Sequence, residues 1–369
     1  MKNITKKILE YSVIYTDRAT NLMSKGYQQS MVNITKNLCQ VYGAKQCALI
    51  PGSGTTGMES VARQFANNKQ CLVIRNGYFS YRWSQIFDTG NITDHVHVIK
   101  GELDNRNRVS PPNVDQVCNW IETHKPKLVC APHVETSTGV MLTDSYIQQL
   151  SNSIQKVDGL FCLDGIASGT IWTNMRDLGI DIYITAPQKG WSSPASVGVV
   201  MLGQRALEKM SEERSSSFAL DLSKWCEVSE AYQKGGFMYH CTVPTNSLIE
   251  FDKNIMETLD YGLDKCEEKA NYLGKEMRNI LEERGYNSVA SDEFKSPTVV
   301  VSYCLDNMVP KLLEQGIQVA GTVPFMIDEP EGLTTFRIGL FGIDKLKNTD
   351  QTLNDFKMAL DKLHPNPKM

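Results

Sequence analysis

The chain has 369 residues, 41% hydrophobic and 22% charged, a globular composition long enough for two domains and incompatible with disorder. Its 38 Lys and Arg against 42 Asp and Glu leave a net charge of -4, and the basic residues are scattered, so no nucleic-acid partner is expected. No apolar run approaches the roughly 18 residues of a membrane span, and residues 1–15 mix Lys6, Lys7 and Glu10 with Ile8-Leu9 and Val13-Ile14 instead of a continuous leader core. The expectation is a cytoplasmic protein with no membrane partner.

The ten cysteines sit singly, several in apolar runs (Cys71, Cys130, Cys162, Cys304), and read as reduced core thiols. There is no Cys-x-x-Cys or His-Glu-x-x-His, and the six histidines (His95, His97, His124, His133, His240, His364) do not fall at helical ligand spacing, so no metal site is expected.

In chain order, the apolar triplet Ala48-Leu49-Ile50 runs into Gly52-Ser53-Gly54-Thr55-Thr56-Gly57. A helix over 56–67 follows, with Met58, Val61, Ala62 and Phe65 on one face. Short Val- and Ile-rich runs predict strands over 71–74, 96–99, 127–131, 160–164, 182–185 and 197–202. Strands without polar alternation are buried on both faces, which predicts an α/β fold with a mostly parallel sheet between helices. The charged stretch 205–214 is expected as a solvated helix face. Over 246–285 the pattern becomes one long helix, with Ile255, Leu259, Leu263, Cys266, Ala270, Leu273, Met277 and Leu281 at three- or four-residue steps and Gly285 as its cap. Strands over 297–304 and 334–340 and a helix over 350–363 complete the chain. The expected organisation is an arm over 1–20, a large domain over 21–253 and a smaller α+β domain over 254–369, joined by the long helix.

Three motifs stand at strand ends, where parallel sheets place ligands. The glycine-rich turn at 52–57 is either a tight turn into a helix or a cradle for a phosphate dianion, and it lacks a P-loop Lys. Asp164, after Phe161-Cys162-Leu163, is either a capped turn or a buried acid in need of a partner. Lys189, in Ala186-Pro187-Gln188-Lys189-Gly190, is either a solvated loop residue or a desolvated amine. Together they supply what pyridoxal phosphate needs: an amine for its aldehyde, an acid for its pyridine nitrogen and an anchor for its phosphate. A carboxylate near the ring nitrogen favours its protonated form.

The order Gly-Ser-Gly-Thr, Asn76-Gly77-Tyr78-Phe79, Glu135-Thr136-Ser137-Thr138-Gly139, Asp164-Gly165-Ile166-Ala167-Ser168, Gln188-Lys189-Gly190 and Phe336-Arg337-Ile338-Gly339 resembles the class V pyridoxal-phosphate aminotransferases, in particular the alanine-glyoxylate and serine-pyruvate type. The resemblance implies a fold-type I transferase. It also implies that Lys189 carries the cofactor and moves the substrate proton, with Asp164 on the pyridine nitrogen, Phe79 stacked on the ring and Ile166 on its other face. Ser53, Gly54, Thr55 and Gln188 would hold the phosphate, and Thr136, Ser137 and Thr138 would face the O3′ side. Tyr239 and Thr242 match residues that reach a neighbouring subunit's phosphate, which implies a homodimer with shared sites. Arg337 would grip the substrate carboxylate bidentately.

The implied reaction moves an amino group from an alanine- or serine-like amino acid to glyoxylate or pyruvate in two ping-pong half-reactions. A 2-aminoethylphosphonate-type transaminase shares the cradle and stays open, since Arg337 suits either anion. A lyase or desulfurase of the same fold expects a mobile Cys and ring-stacking His where this chain has Phe79. A non-catalytic cofactor-binding module would dispense with Phe79 and Arg337. The departure from the family is at the start, where residues 15–27 replace its Pro-Gly-Pro-like segment. Asp17, Arg18 and Lys25 either line the substrate mouth or are surface charges. The aromatic-rich stretch 78–83 packs a helix start, with Arg82 a further candidate to face the cofactor.

Overall fold

The computed structural model describes residues 9–363; residues 1–8 of the expected arm and His364 lie outside them. Strands β1 (Gln46–Pro51), β2 (Cys71–Arg75), β3 (Val96–Lys100), β4 (Leu128–Pro132), β5 (Leu160–Asp164), β6 (Ile182–Thr185) and β7 (Val197–Leu202) form one sheet, ordered β1-β7-β6-β5-β4-β2-β3. Strand β7 runs against both neighbours, and the other pairings are parallel. Every residue of β2, β4, β5, β6 and β7 is buried, as the absence of polar alternation requires.

Helix α1 (Lys25–Tyr42) is capped by the Ser24 side chain, which accepts from the Tyr27 amide, and ends at Gly43 with φ 66°. Its buried stripe Tyr27, Met31, Ile34 and Leu38 is present in the sequence but falls where the family resemblance breaks down. Helices α2 (Gly54–Phe65) and α3 (Tyr78–Thr89) follow β1 and β2. The charged stretch 205–214 overlaps the helix Gln204–Ser211, which buries Ala206 and Met210, packs Leu207 on the main core and sends Arg205 in to the buried Asp181, leaving Gln204, Glu208 and Ser211 exposed.

The stretch expected as one long helix is two: α4 (Thr245–Tyr261) and α5 (Leu263–Glu282) meet at Gly262, whose φ of 101° no helix tolerates. The apolar steps run through the break because each helix buries its own stripe. Leu248, Phe251 and Ile255 enter the main core, whereas Cys266, Ala270, Leu273, Met277 and Leu281 enter a second one. That second core lies against the antiparallel pair β8 (Val299–Tyr303) and β9 (Thr335–Gly339), with Val301 opposite Arg337, and against α6 (Thr349–Leu363). A small third cluster, including Val134, Ala167, Val299 and Phe325, fills the space between. The ten cysteines are free. Among the described residues no group of three or more metal-ligating side chains and no helix long and apolar enough to cross a membrane occurs.

Candidate functional site

Strands β1, β2, β4, β5 and β6 point the same way, so the loops after them line one edge of the sheet. After β1, Gly52 takes φ 130° and the Ser53 amide donates to Thr56 Oγ1 at 2.9 Å, turning the chain into α2. The amides of Gly54 and Thr55, in the first turn of α2, have no acceptor among the described residues. Two glycines hold this turn down on its neighbours. A Cβ on Gly198 would lie 2.5 Å from the Ser53 carbonyl oxygen, and one on Gly54 would lie 2.4 Å from Ile166 Cδ1.

Asp164, at the end of β5, is buried and makes no ion pair among the described residues; its carboxylate accepts from the Ile166 amide at 3.0 Å. Burial pushes this carboxyl up to about 7, with Glu135 adding to the rise and the Ile166 N–H and Arg82 opposing it. Behind the turn, buried His133 shares a 2.7 Å hydrogen bond with Ser168 Oγ, and burial pushes its imidazole down to about 4. Gly165 is obligatory: a Cβ there would sit 2.0 Å from the Tyr183 hydroxyl.

Lys189, beyond β6, holds its amine 4.9 Å from the centroid of Phe341 and makes no ion pair among the described residues. Burial lowers its pKa and the Arg337 charge lowers it further. Next to it, Gln188 Oε1 is buried without a partner. Opposite stands Arg337 on β9, whose Nε donates to the Gly321 carbonyl at 2.9 Å. Its two terminal nitrogens have no partner among the described residues. Burial lowers its pKa, opposed by Glu135. The segment that carries Gly321 is strapped to the sheet. Arg75 Nη1 donates to the Met326 carbonyl at 3.3 Å, Lys100 pairs with Asp328 at 2.5 Å, and the Glu329 carboxylate gathers the amides of Phe325, Met326 and Ile327.

Phe79 sits in the first turn of α3, 5.6 Å from the Arg337 guanidinium carbon and 5.3 Å from that of Arg82. Its place is set by Glu135, a fully buried carboxylate that accepts from the amides of Phe79 (3.1 Å), Ser80 (2.8 Å) and Ser137 (3.0 Å) and from the hydroxyls of Ser80 (2.7 Å) and Ser137 (2.8 Å). A negative group there caps a helix whose own N-cap, Gly77, has no side chain. Sequence reasoning gave Glu135 no role, although an acid just past a buried strand is the same signal that singled out Asp164.

Most of the expected residues converge. Thr55 and Phe79 meet through Arg82, whose Nη1 donates to Thr55 Oγ1 at 2.8 Å; Gly54, Ile166 and Asp164 touch in turn. The hydroxyls of Ser137 and Thr138 are turned into the scaffold. Ser137 accepts from the Tyr78 amide at 2.8 Å, and Thr138 donates to the Asn76 carbonyl at 3.0 Å. Thr136 is half-buried and makes no side-chain hydrogen bond among the described residues. Tyr239 and Thr242 are hydrogen-bonded to each other at 3.0 Å on an exposed segment, and neither has a hydrogen bond to a cleft residue among the described residues. The arm runs beside them, with the Tyr15 hydroxyl donating to the Val243 carbonyl at 3.1 Å and Asn246 bonded to Thr20 N and Arg18 O. Asp17, Arg18 and Lys25 are exposed.

Residues 2–321 match the family described as Aminotransferase class-V. An L-aspartate–glyoxylate aminotransferase of Paracoccus denitrificans is 24% identical over 243 residues, 65% of this chain and 59% of the relative, so the chain spans under two thirds of that protein's length. Alanine–glyoxylate aminotransferase 1 of Saccharomyces cerevisiae is 26% identical over 337 residues, 85% of this chain and 83% of the relative. Among solved structures, an alanine–glyoxylate aminotransferase from Nostoc sp. superposes with a TM-score of 0.78 at 20% identity, covering 93% of this chain and 89% of that one, which shows a shared fold.

Proposed function

Because the chain belongs to the class V aminotransferase family, we propose that it is a transaminase that moves an amino group from a small, alanine- or serine-like amino acid to glyoxylate or pyruvate with pyridoxal phosphate. The residues fit that cofactor. A buried carboxyl without an ion-pair partner (Asp164), a buried unpaired amide oxygen (Gln188) and two free amides at Gly54 and Thr55 surround a turn with no room for a Cβ. Ser53, Gly54, Thr55 and Gln188 would hold the phosphate, with the Gln188 amide turned so that its NH₂ faces it. Asp164 would meet the ring nitrogen, Phe79 and Ile166 would flank the ring, and Thr136 is the free hydroxyl for the O3′ side. When bound, the cofactor supplies an electron-poor ring that takes up and releases the amino group.

The observation that carries this reading is the Lys189 amine. Burial and the neighbouring Arg337 charge both favour its neutral form, which would move the proton from the substrate α-carbon to the cofactor's C4′ when the amino donor reacts and back from C4′ to the acceptor's α-carbon in the second half-reaction. Arg337, with both terminal nitrogens free, orients the substrate by a bidentate grip on its carboxylate. A 2-aminoethylphosphonate donor is the second reading, favoured by the same free fork, which suits a phosphonate equally. The proposal includes a homodimer, since Tyr239 and Thr242 pair with each other on an exposed segment. It also includes the cytoplasm, where free cysteines persist.

Purified protein is expected to be yellow and to retain the cofactor covalently after borohydride reduction, whereas Lys189→Ala is expected to lose that linkage. Trapping that survives the substitution would refute the assignment of Lys189. A panel of alanine, serine, aspartate and 2-aminoethylphosphonate against glyoxylate and pyruvate, followed in the visible spectrum, separates the two readings of the donor.

A further inference from the structure

We propose that Arg82 is the counter-charge of the cofactor's phosphate, an inference that rests on reading the cleft as a pyridoxal phosphate site. The cradle from Gly52 to Gly57 contains no basic side chain. Its own donors are amides and hydroxyls, so a dianion bound there would be held by neutral groups alone. The guanidinium bonded to the cradle belongs to Arg82, through Nη1 to Thr55 Oγ1 at 2.8 Å. Its other nitrogens have no acceptor and it makes no ion pair among the described residues; its charge acts on the Asp164 carboxyl at the end of β5 without bonding to it, so the guanidinium stands beside the start of α2 with donors to spare.

The placement follows from helix geometry. Arg82 lies three residues after Phe79, on the same face of α3 and one turn further along, with its guanidinium carbon 5.3 Å from the Phe79 centroid. One helix face therefore presents both a ring for stacking and a cation for the phosphate, and Thr55 Oγ1 fixes that cation next to the amides of Gly54 and Thr55. A pin between α2 and α3 would need only a hydrogen-bond donor, which a neutral side chain supplies as well. The charge also lies over the Phe79 ring and acts on Asp164 at a distance, and an anion in the cradle would give it a directly hydrogen-bonded partner.

The test separates charge from packing. Apoprotein prepared from the full chain is titrated with pyridoxal phosphate and with pyridoxal, which lacks the phosphate, and binding is followed by cofactor absorbance and tryptophan quenching. R82Q is expected to weaken pyridoxal phosphate binding about 10- to 100-fold while pyridoxal stays within about twofold, the loss of one charged hydrogen bond. R82K, which restores the charge without the planar fork, is expected to recover most of that affinity. Inorganic phosphate alone is expected to raise the melting temperature of the wild-type apoprotein and not that of R82Q. Equal weakening of both ligands by R82Q assigns the residue to packing and overturns the proposal, as does an unchanged affinity for pyridoxal phosphate. If the wild-type protein binds no pyridoxal phosphate, the cofactor reading itself fails; if it binds and R82Q binds equally, only this inference fails.

Discussion

At the scale of single residues, Asp164 and Arg337 are charged groups of the cleft that burial shifts and that make no ion pair among the described residues. The Asp164 carboxyl rises from its ordinary 3.8 to about 7, so between those values the folded apoprotein binds more protons than the unfolded chain. The group's contribution to stability is therefore fully present below about pH 4 and is lost as pH rises through 7. Asp164→Asn has no such charge to ionise. Its apoprotein is expected to gain melting temperature relative to wild type as the pH rises from about 5 to about 8, and a difference that is flat with pH would contradict the burial described. Cofactor binding brings a cation to the same carboxylate and is expected to abolish the effect. Arg337→Ala removes both free nitrogens from the cleft. It is expected to depress kcat/KM for carboxylate donors about 100-fold or more while leaving the visible absorbance of the bound cofactor in place; unaltered turnover would refute its role as substrate handle.

At the scale of elements, the start of α3 depends on a carboxylate supplied from the loop after β4. Gly77 is glycine because Glu135 and Ser137 occupy the space of its side chain: a Cβ would lie 2.0 Å from Ser137 Oγ. Gly77→Ala is expected to lose about 1–3 kcal/mol of stability in denaturant melts and to loosen the cofactor, because the helix start that carries Phe79 must shift. A variant with wild-type stability and cofactor affinity would show that Glu135 does not fix the helix. The same scale shows what was legible in the sequence. The buried strands announced themselves through uninterrupted apolar runs, and the cradle, Asp164 and Lys189 through polar residues at the ends of those runs. The break at Gly262 was hidden because the apolar stripes of α4 and α5 share one period while facing different cores. The engagement of Ser137 and Thr138 with the scaffold was hidden too. A hydroxyl in a motif does not disclose its partner, and here the partners are a carboxylate two residues away and a carbonyl after β2.

At the scale of the whole molecule, the proposed dimer accounts for the exposed patch around Phe237 and Tyr239, about half of whose surface is open in one chain (48% and 50%). Light scattering is expected to give a mass twice the chain's 41.4 kDa. Mixing Lys189→Ala with Tyr239→Ala subunits is expected to restore activity that neither variant has alone, because one of the two sites in the hybrid then holds an intact lysine and an intact tyrosine. Absence of complementation would place Tyr239 outside the partner's site. The strap from Gly321 to Glu329 has a wider consequence. The peptide oxygen that steadies Arg337 belongs to the stretch that Arg75 and Lys100 grip from β2 and β3, so this guanidinium is braced from both halves of the chain at once. Neither half can drift without swinging that fork, and on the proposed reading of Arg337 discrimination among donors becomes a property of how the two halves seat together, open to retuning from positions buried well away from any bond that is made or broken.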